Sequence, residues 1–211
     1  MIQRQVFSAL TLTTNNLLCG RGGLEFGGPQ SFSLSNGQCI LLRGPNGTGK
    51  STLLLTLAGI IPRLGGDFSF SDQDPDDGPF LHYCGHRNAI KPRLSVQENL
   101  SFWSDVNGAY GFSVQEALER VGLATLSQLD AGYLSAGQSR RLALARLLVS
   151  PRALWLLDEP TAALDVNGHS LVTQLLNEHL AQGGLAIAAT HDPIALAEPC
   201  RVIALALETK P

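Results

Sequence analysis

The sequence predicts an α/β fold with a mostly parallel sheet core, an antiparallel β flank and an inserted helical lobe. Three observations predict it. Two apolar runs, Ala153-Leu154-Trp155-Leu156-Leu157 and the stretch from Leu185 to Thr190, carry no polar face, as expected of strands buried on both sides of a parallel sheet. A glycine-rich loop, Gly44 to Ser51, lies between the apolar strand Cys39 to Leu42 and a helix-forming run, Thr52 to Ala58. Three Ser-x-x-Glu/Gln boxes, at Ser95, Ser113 and Ser135, each open a helical pattern, which points to helices inserted together between strands.

Taken in order, the chain begins with alternating strands at Ala9 to Thr13 and Ser31 to Leu34, separated by a glycine-rich hairpin or loop from Cys19 to Pro29. Asn36-Gly37 is a tight-turn signal leading into the strand before the loop. After the loop's helix, Gly65-Gly66 reads as a turn, Phe68 to Phe70 as a short strand and Phe80 to Tyr83 as another. The acidic Pro/Gly-containing stretch Ser71 to Pro79 reads as an exposed loop. Helices are expected after each capping box, the last with Leu142, Ala145, Leu148 and Val149 on one face. A further helix from about Val166 to Ala181 ends at Gly183-Gly184, and a final strand runs from Arg201 to Leu207. The expected organisation is one domain over residues 1–211, its core from 1–86 and 151–211 and its helical subdomain from about 87–150.

Bulk properties narrow the function. A chain of 211 residues has room for a substantial core. Its net charge of −3 argues against nucleic acid as a partner. No apolar run approaches the roughly 20 residues that span a bilayer, and Met1 to Gln5 lacks a signal-peptide layout. A cytosolic location is expected, with any membrane role exercised through a partner. Cys19, Cys39, Cys84 and Cys200 form no C-x-x-C, so reduced structural thiols are expected. No histidine pair has metal-ligand spacing, and His82 and His86 are read as strand and loop residues.

The run Gly44-Pro45-Asn46-Gly47-Thr48-Gly49-Lys50-Ser51-Thr52 has the form G-x-x-x-x-G-K-S, and its strand–loop–helix setting marks a phosphate-binding loop. Glycines let successive N–H groups turn inward, and the following helix adds its positive end. Lys50 brings a full charge to the β/γ-phosphates, and the Ser51 hydroxyl is a hard Mg²⁺ ligand. The tips of the two apolar strands, Asp158-Glu159 and His191, lie where ligands bind in open parallel sheets. Asp158 suits Mg²⁺ through water, and Glu159, expected to point the other way along the strand, suits a general base.

With Leu134-Ser135-Ala136-Gly137-Gln138 added, the chain resembles the ATP-binding subunit of an ABC transporter. The pentapeptide looks like the family signature with Ala136 in place of glycine, Ala163-Leu164-Asp165 looks like the D-loop, and His191 like the switch histidine. The resemblance implies ATP and Mg²⁺ as cofactors and a homodimer. It implies catalysis by Lys50, Glu159 and His191, with the helix start at Ser135, Gly137 and Gln138 facing nucleotide bound by the opposite subunit and Asp165 as a further nucleotide-binding residue. The adenine-stacking aromatic of the family, about 29 residues before the lysine, falls at Arg21, whose guanidinium can stack on a base or simply be solvated. The family's glutamine that meets Mg²⁺ and senses the membrane partner falls at His86. Imidazole is a poor ligand for Mg²⁺, so His86 would act through water or as a hydrogen-bond link.

Gly85-His86-Arg87, Ile90 to Ser95, Glu98-Asn99-Leu100 and Leu17-Leu18-Cys19 are similar to the cytochrome c maturation ATPases of the CcmA, or heme exporter, type. That implies a peripheral ATPase pair on the cytoplasmic face of the bacterial inner membrane. Its integral partners would be of the CcmB and CcmC kind with CcmD, acting indirectly on a periplasmic heme chaperone of the CcmE type. Phe102 and Trp103 lie near the expected dock, although packing within their helix also explains them. An ABC transporter ATPase for another substrate is the alternative. A soluble ABC protein acting on nucleic acid is disfavoured by a single cassette with only 135 − 50 = 85 residues between Lys50 and Ser135. A cassette that binds without hydrolysing is disfavoured by the presence of Lys50, Asp158, Glu159 and His191.

Overall fold

The computed structural model describes residues 7–71, 79–197 and 200–205. Met1 to Gln5, most of the acidic stretch Ser71 to Pro79 and the end of the last strand at Leu207 therefore lie outside the described residues.

The N-terminal strands β1 (Thr11–Arg21) and β2 (Leu24–Ser35) form a long antiparallel hairpin. Its two-residue loop is Gly22-Gly23, with φ of 61° and 82°, the left-handed pair that a type I′ turn demands and glycine adopts without strain. Leu12, Leu17 and Cys19 of β1 and Phe32 and Leu34 of β2 are buried, and apart from the buried Gly20 their neighbours are half-buried or exposed. β4 (Gly65–Ser71) pairs with the other edge of β1, giving the order β2-β1-β4.

Gly65-Gly66 is not the expected turn: the two residues open β4. The register of β1 shifts between Asn15 and Leu18 opposite them, and a Cβ on Gly66 would lie 2.0 Å from the Asn16 carbonyl oxygen. Glycine is there for close backbone approach at a bulge.

The second sheet is fully parallel. β3 (Cys39–Arg43), β5 (Leu81–Cys84), β6 (Leu154–Asp158), β7 (Leu185–Ala189) and β8 (Cys200–Ala204) lie in the order β5-β6-β7-β3-β8. Alternation along these strands divides the core in two. Ile40, Leu42, Leu154, Leu156, Leu185 and Ile187 pack with Leu53, Leu54 and Leu57 of α1 (Lys50–Leu57) and with the buried face of the antiparallel sheet. Cys39, Leu41, Trp155, Leu157, Ala186 and Ala188 face the helices between β5 and β6, and α5 (Val166–Ala181). This explains the unbroken apolar runs: β6 and β7 are buried at every position because both faces are covered.

Between β5 and β6 lie α2 (Val96–Asn107), α3 (Val114–Arg120), two single-turn 3₁₀ helices and α4 (Ala136–Val149). All three expected capping boxes form, with Ser95, Ser113 and Ser135 accepting from the backbone N–H of Glu98, Glu116 and Gln138. α4 is buried more widely than its single predicted face: Arg140, Ala143, Leu144 and Leu147 are covered too. His82 is buried in β5 and donates to the Ser150 carbonyl, and burial pushes its pKa down to about 4. It is a neutral structural residue.

Candidate nucleotide-binding site

The site grows out of the carboxyl ends of β3, β6 and β7, adjacent in the parallel sheet. β3 delivers the glycine-rich loop, and α1 opens at Lys50. The residue capping α1 is Gly49, at φ 97°, and among the described residues no side-chain cap hydrogen bond is made to the first turn. Those donors and the positive end of the helix are left to an anion. A Cβ on Gly49 would come within 2.4 Å of the Phe26 Cβ, so the hairpin of β1 and β2 presses directly on the loop.

Lys50 is 7% exposed, and its Nζ donates to the carbonyls of Gly44 (2.6 Å) and Pro45 (3.0 Å). The Thr48 hydroxyl donates to the same Pro45 carbonyl at 2.9 Å. The loop is thus closed on its own lysine. His191, following β7, places Nε2 3.4 Å from Lys50 Nζ, 3.1 Å from Asn46 Oδ1 and 3.5 Å from Glu159 Oε1. Ser51 Oγ donates to Asp158 Oδ1 at 2.9 Å. A hydroxyl and a carboxylate oxygen already paired at a strand tip are hard donors that fit Mg²⁺.

Glu159 departs from expectation. β6 ends at Asp158, and Glu159 does not continue it with its side chain on the opposite face. It turns at φ 47°, a left-handed conformation that costs a residue with a Cβ about 1–3 kcal/mol. Two sets of contacts hold it there. Its N–H donates to the Ala189 carbonyl at 2.8 Å, and its own carbonyl accepts from Arg140 Nη2 at 2.8 Å. The turn brings its carboxylate beside the phosphate loop rather than into the sheet.

A cavity of about 350 Å³ joins these groups. Arg21 and Phe26 line it from the hairpin; Asn46, Gly47, Gly49, Lys50, Ser51 and Thr52 from the loop and helix; His86, Asp158 and Glu159 from the strand ends. Gly44, Pro45 and Thr48 build the loop behind that lining. Ser135, Gly137, Gln138 and Asp165 do not line it. Ser135 caps α4, with its N–H returned to Gln138 Oε1 at 2.9 Å. Asp165 caps α5 through the Gly168 N–H at 2.8 Å and meets Arg141 at 3.1 Å. The Gly168 N–H and the Arg141 guanidinium hold its carboxyl below the usual range.

Two residues were not picked out from the sequence. Phe26, the lone aromatic of the segment Cys19 to Pro29, joins Arg21 on the wall of the cavity. Arg140 is 2% exposed and joins α4 to the site, donating to backbone carbonyls of Gly85, Asp158, Glu159 and Pro160 and to Asn88 Oδ1. In the sequence Arg140 stands only in the Arg140-Arg141 pair, placed after the signature as is usual in the family it resembles, with no role in the site assigned to it.

The family model described as "ABC transporter" matches residues 28–162. Curated relatives include the "Cytochrome c biogenesis ATP-binding export protein CcmA" of Rhodopseudomonas palustris (strain BisB5), 47% identical over 188 residues, covering 88% of this chain and 94% of that protein. The protein so described from Chelativorans sp. (strain BNC1) is 47% identical over 190 residues, covering 89% and 94%. Among solved structures, a protein from Pyrococcus furiosus described as "Putative ABC transporter (ATP-binding protein)" superposes with a TM-score of 0.80 at 22% identity, covering 92% of this chain and 97% of that one. The ATP-binding cassette MJ0796, in a dimeric post-hydrolysis state bound to ADP and Pi, superposes at 0.78 with 23% identity, covering 93% and 96%. The phosphate loop, the paired strand tips and the helices between β5 and β6 thus sit in an ABC-type ATPase fold, and the chain belongs to the ABC transporter family, among ATP-binding proteins of the CcmA group.

Proposed function

We propose that this chain is the ATP-hydrolysing subunit of an ABC exporter of cytochrome c biogenesis. One observation carries the catalytic part: Lys50, His191 and Glu159 converge within 3.5 Å steps beside the Ser51–Asp158 pair at one end of the parallel sheet. The relatives' descriptions as cytochrome c biogenesis export proteins support the cellular part.

The roles follow from chemistry. Gly44 to Thr52 wraps the phosphates with N–H groups, and Lys50 exchanges its two loop carbonyls for β/γ-phosphate oxygens. Ser51 and Asp158 would hold Mg²⁺, with His86 entering through water, and the ion supplies charge neutralisation at the phosphates. Glu159 accepts a proton from the attacking water, and His191, within reach of both Glu159 and Lys50, orients it and donates to the γ-phosphate. Arg21, with Phe26, contacts adenine. Ser135, Gly137, Gln138 and Asp165 serve nucleotide held by a second copy, so the active unit is a homodimer.

The reading extends to one ATPase domain, with residues 87–150 as its helical subdomain and core segments 1–86 and 151–211. It works peripherally on the cytoplasmic face of an inner membrane, with integral subunits of the CcmB, CcmC and CcmD type and, through them, a heme chaperone of the CcmE type. No helix among the described residues is long and apolar enough to cross a membrane, which is in keeping with docking on integral partners.

Steady-state hydrolysis tests the catalytic part. Glu159→Gln is expected to lower kcat by about 100-fold or more, the usual size of a general-base contribution, while nucleotide affinity stays within a few-fold. A variant that keeps most of its kcat defeats the assignment of Glu159. For the cellular part, tagged chain recovered from membranes should bring down integral subunits and heme chaperone. Recovery with ribosomal RNA in the soluble fraction defeats it.

A further inference from the structure

Arg140 is used by none of the roles above, yet it is among the most fully engaged polar side chains in the molecule. It lies on α4, five residues after the Ser135 cap, and is 2% exposed. Its guanidinium has five N–H donors, and five acceptors surround it. Nε donates to the Pro160 carbonyl (3.2 Å), Nη1 to the Gly85 carbonyl (2.8 Å) and Asn88 Oδ1 (3.1 Å), and Nη2 to the Asp158 (2.7 Å) and Glu159 (2.8 Å) carbonyls. None of the acceptors is a carboxylate, so this is a clamp on backbone.

The acceptors belong to two functional segments. Asp158, Glu159 and Pro160 form the turn that carries the proposed base; Gly85 and Asn88 bracket His86. Glu159 is the residue held at φ 47°: Arg140 holds the carbonyls of both peptide groups that flank it, and the Ala189 carbonyl accepts from its N–H. Through α4, the same arginine is rigidly joined to the Ser135 end of the helix.

We propose that Arg140 is a positioning residue for hydrolysis: it holds the Glu159 carboxylate in its reactive place and fixes the His86 loop and the start of α4 to it as one body. It does not line the cavity. Its effect passes through Glu159, so the proposal rests on Glu159 acting as general base. Lysine cannot replace it, because three rotating donors cannot satisfy five acceptors spread over a plane.

The test is a double-mutant cycle in the full-length protein, reading kcat and KM for ATP separately. Arg140→Lys should lower kcat at least tenfold while KM for ATP and the affinity for ADP stay within about threefold. In a Glu159→Gln background, Arg140→Lys should change the residual kcat less than twofold, because there is no base left to position. A tenfold loss that persists in that background overturns the proposal, as does an Arg140→Lys enzyme of unchanged kcat. Arg140→Gln, neutral and shorter, is measured in parallel. If neither variant folds, as judged by circular dichroism and thermal melting, Arg140 is a structural group and the proposal fails. Failure of the underlying reading is seen separately, as a Glu159→Gln single variant that still turns over.

Discussion

Phe26 and Arg21 share one wall of the cavity, and they would serve adenine differently. An aromatic ring stacks on a base for about 1–3 kcal/mol, largely without regard to which base it is. A guanidinium can stack too, but its solvation in an exposed loop competes. Phe26 meets the loop at Gly49 through its Cβ and backbone, atoms that any residue but glycine retains. Phe26→Leu keeps that contact and removes the ring. It is expected to raise KM for ATP by about fivefold or more with kcat within twofold, the pattern of lost uniform binding. Arg21→Ala is expected to have the smaller effect. Initial rates across an ATP titration check both, and the reverse order would place adenine on the arginine.

At the scale of elements, the strands are tied to α5 by a buried histidine. His179 stacks on Trp155 of β6 with ring centroids 3.9 Å apart, and its Nε2 donates to the Leu185 carbonyl at the start of β7 at 3.1 Å. Burial lowers its pKa to about 3, and that of His82 in β5 to about 4, against 6.5 for a free histidine. The unfolded chain therefore binds protons below pH 6.5 that the folded chain refuses, so stability is full above that pH and falls as pH drops toward 4. Each histidine should cost on the order of 1 kcal/mol at pH 5.5, above the range where carboxylates titrate. Thermal melts at pH 7.5 and 5.5 should show the loss, and His179→Phe, which keeps an aromatic on Trp155, should remove about half of it. An unchanged pH difference in that variant would count against the mechanism.

Local devices were legible in the sequence and tertiary ones were not. A Ser-x-x-Glu box carries its own hydrogen bonds within one turn, so Ser95, Ser113 and Ser135 announced their helices without knowledge of the rest. The strand–loop–helix around Lys50 is equally local. Gly65-Gly66 was misread because a diglycine looks the same whether it turns the chain or admits a neighbouring backbone, and only the Asn16 carbonyl decides. The left-handed turn at Glu159 is set by Arg140 and Ala189, which lie 19 residues upstream and 30 downstream. Phe26 pairs locally with Cys19, but its place on the cavity wall depends on the hairpin packing against the loop at Gly49, more than 20 residues further along the chain.

For the whole molecule, the decisive feature is what each chain leaves undone. The cavity holds the phosphate loop, the strand tips and the hairpin wall, while Ser135, Gln138 and Asp165 cap their own helices, Gly137 lies in the first turn of α4, and none of the four lines it. The start of α4 is exposed, and the side chain of Asp165 is 67% exposed, so both are available to a second copy. If two copies complete each other's sites, defects on opposite sides of the shared boundary should complement. Lys50→Ala disables the site in which that chain cradles phosphate, and Ser135→Arg disables the site it offers to its partner. Each variant alone should be nearly inactive. Mixed one to one, half of the dimers are heterodimers, and in each of these one site carries both defects while the other carries neither. Two-fold symmetry then predicts recovery to about a quarter of the wild-type rate, if the sites act independently. The recovered rate per chain should fall on dilution as dimers separate. Mixtures no more active than the separate variants, with dimers verified by light scattering, would mean that two independent intact sites are not built across the pair.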